Sequence, residues 1–157
     1  MEEDKSFFPF EERIDLVERC TLDIRDRVII IPSGKFIISS LTFSEYFNKS
    51  ELQDREIDPS MDVTVFAREI APCLHIRARF AGEEPSDGVT RQYNETMRRV
   101  LPEYGIEFVE IPRKEIAGEY ISASKVRKAL ESQDFEAIRP LVPEETFAYL
   151  IEKYRMR

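Results

Sequence analysis

Short apolar runs and amphipathic stretches alternate along this chain, and that alternation constrains its fold more than any other feature. Val28-Ile29-Ile30-Ile31 is a continuous apolar run closed by Pro32-Ser33-Gly34, the pattern of a buried parallel strand. His75 to Ala81 and Ile106 to Ile111 read as two further strands, the first opening at Gly82. Helical spacing governs Phe10, Ile14, Val17 and Thr21 after Pro9, with Glu11 and Glu12 in the first turn. It returns in Val65, Phe66 and Ile70, on a helix expected from Asp58 to about Ala71. A third set, Val89, Tyr93, Met97 and Val100, lies on a helix from about Asp87. Further helices are expected from Ser122, from Asp134 to Leu141, and from Glu144 to Tyr154. Phe36-Ile37-Ile38 is expected as another strand piece, and Thr42 to Asn48 as a short helix. Alternation of this kind indicates an open α/β sheet with helices on both faces. Ligands bind such sheets at the carboxyl ends of strands.

Length and charge narrow the function. A chain of 157 residues suggests one domain, spanning 1–157, with a respectable core. The net charge of −8 argues against a general nucleic-acid surface, so an anionic ligand needs a local basic pocket. No apolar run approaches the roughly 20 residues that span a bilayer, and no membrane partner is expected. The acidic start, Glu2-Glu3-Asp4, is unlike a signal peptide. Cys20 and Cys73 read as two buried thiols of a reducing compartment, which points to the cytoplasm.

The stretch Ile121-Ser122-Ala123-Ser124-Lys125-Val126-Arg127 carries the clearest chemistry. It opens a helix, where backbone N–H groups are unpaired and the dipole is positive, so it favours an anion. Ser122 is a good N-cap, Ser124 offers a hydroxyl and an amide, and Arg127 can reach back with a planar fork suited to phosphate. A capped surface helix is the plainer reading of the same residues. Phe80-Ala81-Gly82-Glu83-Glu84-Pro85 leaves a strand and precedes a helix. Gly82 would let a base or ribose approach and Glu84 could accept from hydroxyls, or the segment is a turn with solvated acids.

Arg91 could reach a phosphate, Lys5 could act as a mobile point charge, and Arg98-Arg99 reads as a solvated helix face. Ser33-Gly34-Lys35 lacks phosphate-loop spacing and reads as a turn. His75 is the sole histidine and reads as structural, which also excludes a Ser-His-Asp triad. No metal ligand set is evident.

With these residues in view, I-S-x-S-x-x-R after a strand and loop resembles the C-terminal signature of the nucleotidylyltransferase superfamily. Phe10-Glu11-Glu12-Arg13 resembles the helix start after that superfamily's second strand. A finer resemblance is to the C-terminal domain of the citrate lyase ligase family. It runs through Phe8 to Val17, Phe36-Ile37-Ile38-Ser39, Thr42-Phe43, Arg79 to Pro85, Val89 to Asn94, Val109-Glu110-Ile111, Ile121 to Arg127 and Pro140 to Pro143. These segments follow the family's order across nearly the whole chain.

The resemblance implies a Rossmann-like, HUP-type open parallel sheet. It implies a ligase that converts ATP and acetate to acetyl-adenylate and pyrophosphate. The acetyl group then passes to the prosthetic-group thiol of the citrate lyase acyl carrier subunit, and magnesium is expected with the ATP. It further implies that Ser122, Ser124 and Arg127 hold the β- and γ-phosphates and that Gly82 and Glu84 line the adenosine side. Arg91 and Lys5 are weaker candidates.

The superfamily's His-x-Gly-His is absent, since His75 is the only histidine. The chain is therefore expected to be a fragment lacking the first two strands and an acetyltransferase-like domain, and to be inactive alone. Two alternatives remain: a nucleotidylyltransferase for another small acceptor, and a non-catalytic module binding nucleotide or acyl carrier.

Overall fold

Asp87 begins a 13-residue helix by turning its carboxylate onto the Thr90 N–H at 2.9 Å, an N-cap that matches one orphan donor of the first turn. That helix, α4 (Gly88–Val100), is the crossover between two parallel strands, β1 (Ala78–Gly82) and β2 (Glu107–Ile111). Their register pairs Ala78 with Glu107 and Gly82 with Ile111. The computed structural model describes residues 7–39, 41–43, 57–85, 87–116 and 118–155. The mixed α/β class expected from the alternation is what these residues form.

The chain separates into two compact units, one whose main body is Pro32–Arg113 and the other joining Ser6–Ile31 with Lys114–Arg157. In the first, the buried stripe Val89, Tyr93, Met97 and Val100 of α4 packs with Val63, Phe66, Ala67 and Ala71. Those four lie on a nearly continuous helix made of α2 (Ser60–Val65), a π turn (Phe66–Ile70) and α3 (Ala71–Cys73). Pro72 has no N–H to bond the Arg68 carbonyl, and the wider π turn lies immediately before this break. The strand face carrying Ala81 and Phe108 packs against this core, while the opposite face leaves Phe80 61% exposed.

The second unit holds α1 (Phe10–Arg19), a short hairpin of β3 (Glu115–Ile116) and β4 (Glu119–Tyr120), and then α5 (Ala123–Glu131), α6 (Phe135–Ile138) and α7 (Glu144–Tyr154). Val126 and Leu130 of α5 bury against Phe135, Ile138, Phe147 and Leu150. Glu12 of α1 is clamped by α7: Lys153 Nζ lies 2.5 Å from one carboxylate oxygen and the Tyr154 hydroxyl donates to the other at 2.9 Å. Burial alone would raise the Glu12 pKa, but hydrogen bonds from Lys153 and Tyr154 outweigh it and hold the carboxyl below its usual value.

Three helix ends share one device. His75, Gly105 and Gln133 have positive φ (52°, 70° and 58°). The following amides of Ile76, Ile106 and Asp134 reach back to the carbonyls of Ala71, Leu101 and Ala129 at 2.9, 3.1 and 2.8 Å. This is the Schellman stop, and it gives His75 the structural role expected of it.

Several expectations are corrected. Val28 to Ile31 is not a buried strand: residues 28–33 have no regular structure and Ile29 is 86% exposed. An apolar run favours burial, but a strand also needs a ladder partner, and this segment has none among the described residues. Phe36-Ile37-Ile38 is a series of bends with Ile38 at φ 48°, not a strand piece. Thr42 and Phe43 are not helical, and 44–48 lie outside the described residues. The β3–β4 hairpin carried no strand pattern long enough to be read. Cys73 is exposed, not buried, and Cys20 is half-buried against the Thr146 hydroxyl at 3.3 Å. Ser33-Gly34-Lys35 is the expected turn, with Gly34 at φ 55° and Phe36 N–H bonded to the Ser33 carbonyl. No helix among the described residues is long and apolar enough to cross a membrane.

Candidate functional site

Ser122 is extended (φ −142°, ψ 147°), and its hydroxyl accepts from the Lys125 N–H at 3.3 Å, so it is the N-cap of α5. One turn on, Arg127 Nη2 donates to the Ser124 hydroxyl at 3.0 Å. The three residues singled out at this helix start therefore share its first turns, and no acidic side chain occurs in the first turn. The Ala123 and Ser124 amides have no acceptor among the described residues, as the helix geometry requires. Lys125 adds a second cation and is paired with Glu119 of β4 at 2.7 Å. The Lys125 ammonium holds the Glu119 carboxyl below its usual pKa. Hydroxyls, open amides, a guanidinium and the helix dipole together suit a multiply charged anion.

The first unit contributes a separate set at the exit of β1. Gly82 is exposed, and a Cβ built on it meets nothing within 4 Å. Its φ is not positive, so neither backbone geometry nor packing calls for glycine there. Its carbonyl accepts from Asn94 Nδ2 at 2.9 Å, and the Glu83 N–H donates to the Ile111 carbonyl at 2.8 Å. Glu84 is pinned rather than solvated: Arg113 Nη1 lies at 2.5 Å and the Asp87 N–H donates to it at 3.2 Å. Glu84 and Arg91 line one cavity of about 230 Å³, with Asn94, Arg98 and Glu110. The Arg91 side chain has no ion-pair partner among the described residues. Lys5 lies outside them. Arg98 is more than a solvated face, since it pairs with Glu110 and sits 5.8 Å from the Phe108 ring.

Sequence reasoning missed a buried network in the first unit. Asp62 is fully buried and accepts from the Ile38 N–H (2.6 Å), the Thr42 hydroxyl (2.5 Å) and the Tyr93 hydroxyl (2.5 Å). Arg79 Nη2 donates to the same Tyr93 oxygen at 3.0 Å, and its guanidinium lies 4.1 Å from the Phe66 ring centroid. Burial first, and the Asp62 carboxylate after it, push the Tyr93 phenol well above its usual pKa. The signal was available: Asp62 falls four residues before Phe66, on the apolar face of its own helix, where an acid must have buried partners.

Comparison with known proteins identifies the family. The family described as citrate lyase ligase C-terminal domain matches residues 1–150. A "[Citrate [pro-3S]-lyase] ligase" from Escherichia coli K12 is 41% identical over 155 residues, covering 96% of this chain and 44% of that protein. Proteins of the same name from Klebsiella pneumoniae and Haemophilus influenzae are 35% and 36% identical, over 97% and 94% of this chain and 45% of each relative. No solved structure matches the chain. The chain thus spans a little under half the length of the curated relatives it matches. By the family match and these identities, the chain belongs to the citrate lyase ligase C-terminal domain family.

Proposed function

We propose that this chain supplies the nucleotide-handling part of a citrate lyase ligase. A carboxylate oxygen of acetate attacks the α-phosphorus of ATP, giving acetyl-adenylate and releasing pyrophosphate. The thiol of the citrate lyase acyl carrier's prosthetic group then attacks the acetyl carbon, AMP leaves, and the thiol proton passes to solvent. The observation that carries the reading is the first turn of α5, in a chain of this family: Ser122, Ser124 and Arg127 gathered with two open amides. Ser122, Ser124 and Arg127 would hold the β- and γ-phosphates, where charge builds on the leaving pyrophosphate. Gly82, Glu84 and Arg91 would serve the adenosine side, Glu84 through the loop geometry it fixes with Arg113. Lys5 is a further candidate for phosphate.

The finer fold in this reading is the Rossmann-like, HUP-type sheet, supported by the parallel β1–α4–β2 unit. Magnesium would arrive with ATP and take phosphate oxygens as ligands. Among the described residues no three His, Cys, Asp or Glu side chains gather to hold an ion on their own. Two unpaired cysteines support a reducing, cytoplasmic setting.

Calorimetry with ATP and pyrophosphate exchange with acetate test the reading. The chain is expected to bind ATP without exchange, because His75 is its sole histidine and terminates a helix. Exchange by the 157-residue chain would overturn the need for a histidine motif. Exchange in a full-length relative with an acid other than acetate would favour another nucleotidylyltransferase. The same missing motif favours a second reading, a non-catalytic module; binding of the acyl carrier with no ATP binding would support it.

A further inference from the structure

We propose that Asn94 is a positioning residue that sets the plane of the Gly82–Glu83 peptide at the exit of β1. The inference rests on the nucleotide reading above and goes beyond it by naming what holds that site's backbone. Asn94 is 3% exposed in the interior of α4, where asparagine is a poor helix former and a buried amide needs matched partners. Both its Nδ2 hydrogens are used at 2.9 Å, one on the Gly82 carbonyl and one on Glu110 Oε1. Both partners are acceptors, so the amide orientation follows from the hydrogen bonds. Glu110 is in turn oriented by Arg98.

Gly82 C=O and Glu83 N–H belong to one peptide group, and Ile111 takes the other end of it at 2.8 Å. Asn94 and Ile111 therefore grip this peptide from two sides, and its plane sets where the open side of Gly82 faces. From there the chain runs to Glu84, which Arg113 and the Asp87 amide fix. An alanine at 94 would free one end of the grip, while an aspartate would keep the size and lose both donors.

The test uses the whole chain with Asn94→Ala, Asn94→Asp and, as a packing control on the same helix, Met97→Ala. Calorimetry with ATP and hydrogen exchange at the Glu83 amide are measured on each folded protein. Both Asn94 variants should weaken ATP binding at least tenfold and speed Glu83 exchange, whereas Met97→Ala should lower the melting temperature with ATP affinity unchanged. Wild-type affinity and exchange in Asn94→Asp would overturn the proposal, as would equal losses in Met97→Ala. If wild type binds no ATP but the Asn94 variants still release the Glu83 amide, the nucleotide reading alone falls and the assignment of the peptide grip stands.

Discussion

The Tyr93 hydroxyl donates to Asp62 Oδ2 at 2.5 Å inside the first unit, and this bond ties α4 to α2. Asp62 also holds the Ile38 amide and the Thr42 hydroxyl, so one carboxylate organises the bends before Phe43. The Phe43 ring then packs 5.5 Å from that of Tyr93. Asp62→Ala takes the acceptor from three donors, of which the Tyr93 hydroxyl is in a fully buried bond, where an unpaired donor costs about 1–3 kcal/mol, and the other two are half-buried. Urea unfolding should therefore show a loss of about 2 kcal/mol or more. Tyr93→Phe removes the donor to Asp62 and the acceptor of Arg79 Nη2, and should cost about 1–3 kcal/mol. A loss below about 1 kcal/mol for Asp62→Ala would mean the network does not anchor this unit.

Arg127→Ala should leave the fold intact, since the side chain's hydrogen bond goes to the exposed Ser124 hydroxyl. If it meets phosphate, a charge-assisted bond worth roughly 1.5–3 kcal/mol is lost, a weakening of ATP binding by roughly 10- to 150-fold. Calorimetry at fixed salt reads this directly. Ser122→Ala removes the N-cap instead and should cost about 1 kcal/mol of stability in the second unit.

Gly82→Ala separates ligand space from fold space. A methyl group there meets nothing within 4 Å and φ is ordinary, so stability should hold or rise by up to about 1 kcal/mol. ATP affinity should fall if a ligand uses that opening. Unchanged affinity would remove Gly82 from the nucleotide surface.

Acid should weaken the join between α1 and α7. The folded-state pKa of Glu12 is lowered, so its stabilising contribution is complete above the unfolded value of about 4.3 and is lost as pH falls through the folded value. Thermal melts across this acidic window should fall more steeply for wild type than for Glu12→Gln, whose amide does not titrate there. Parallel curves would mean that Lys153 and Tyr154 do not hold the carboxylate in solution.

Elements whose signals are local were legible in the sequence. Asp87, Ser122 and Asp134 are all observed N-caps, and α4, α5 and α7 bury their spaced apolar residues. The β2 strand lies where it was read, β1 begins at Ala78 rather than His75 because His75 stops the preceding helix, and Tyr93 is core as its position on the stripe suggested. The Ser122–Ser124–Arg127 cluster was readable because one helical turn brings these residues together. Val28 to Ile31 failed because strand pairing is a property of two segments, and apolar content in one of them cannot supply it.

The sequence alone determined the helix starts, the apolar stripes, the family and the residue types available to an anion. All of these depend on neighbours a few positions apart, or on ordered motifs along the chain. Tertiary structure alone decided that Asp62 lies under Tyr93, that Glu84 answers Arg113, and that Asn94 grips the Gly82 carbonyl. Those pairs are 31, 29 and 12 residues apart. A buried carboxylate or amide must find donors or acceptors, but which ones it finds is set by packing that no local pattern encodes.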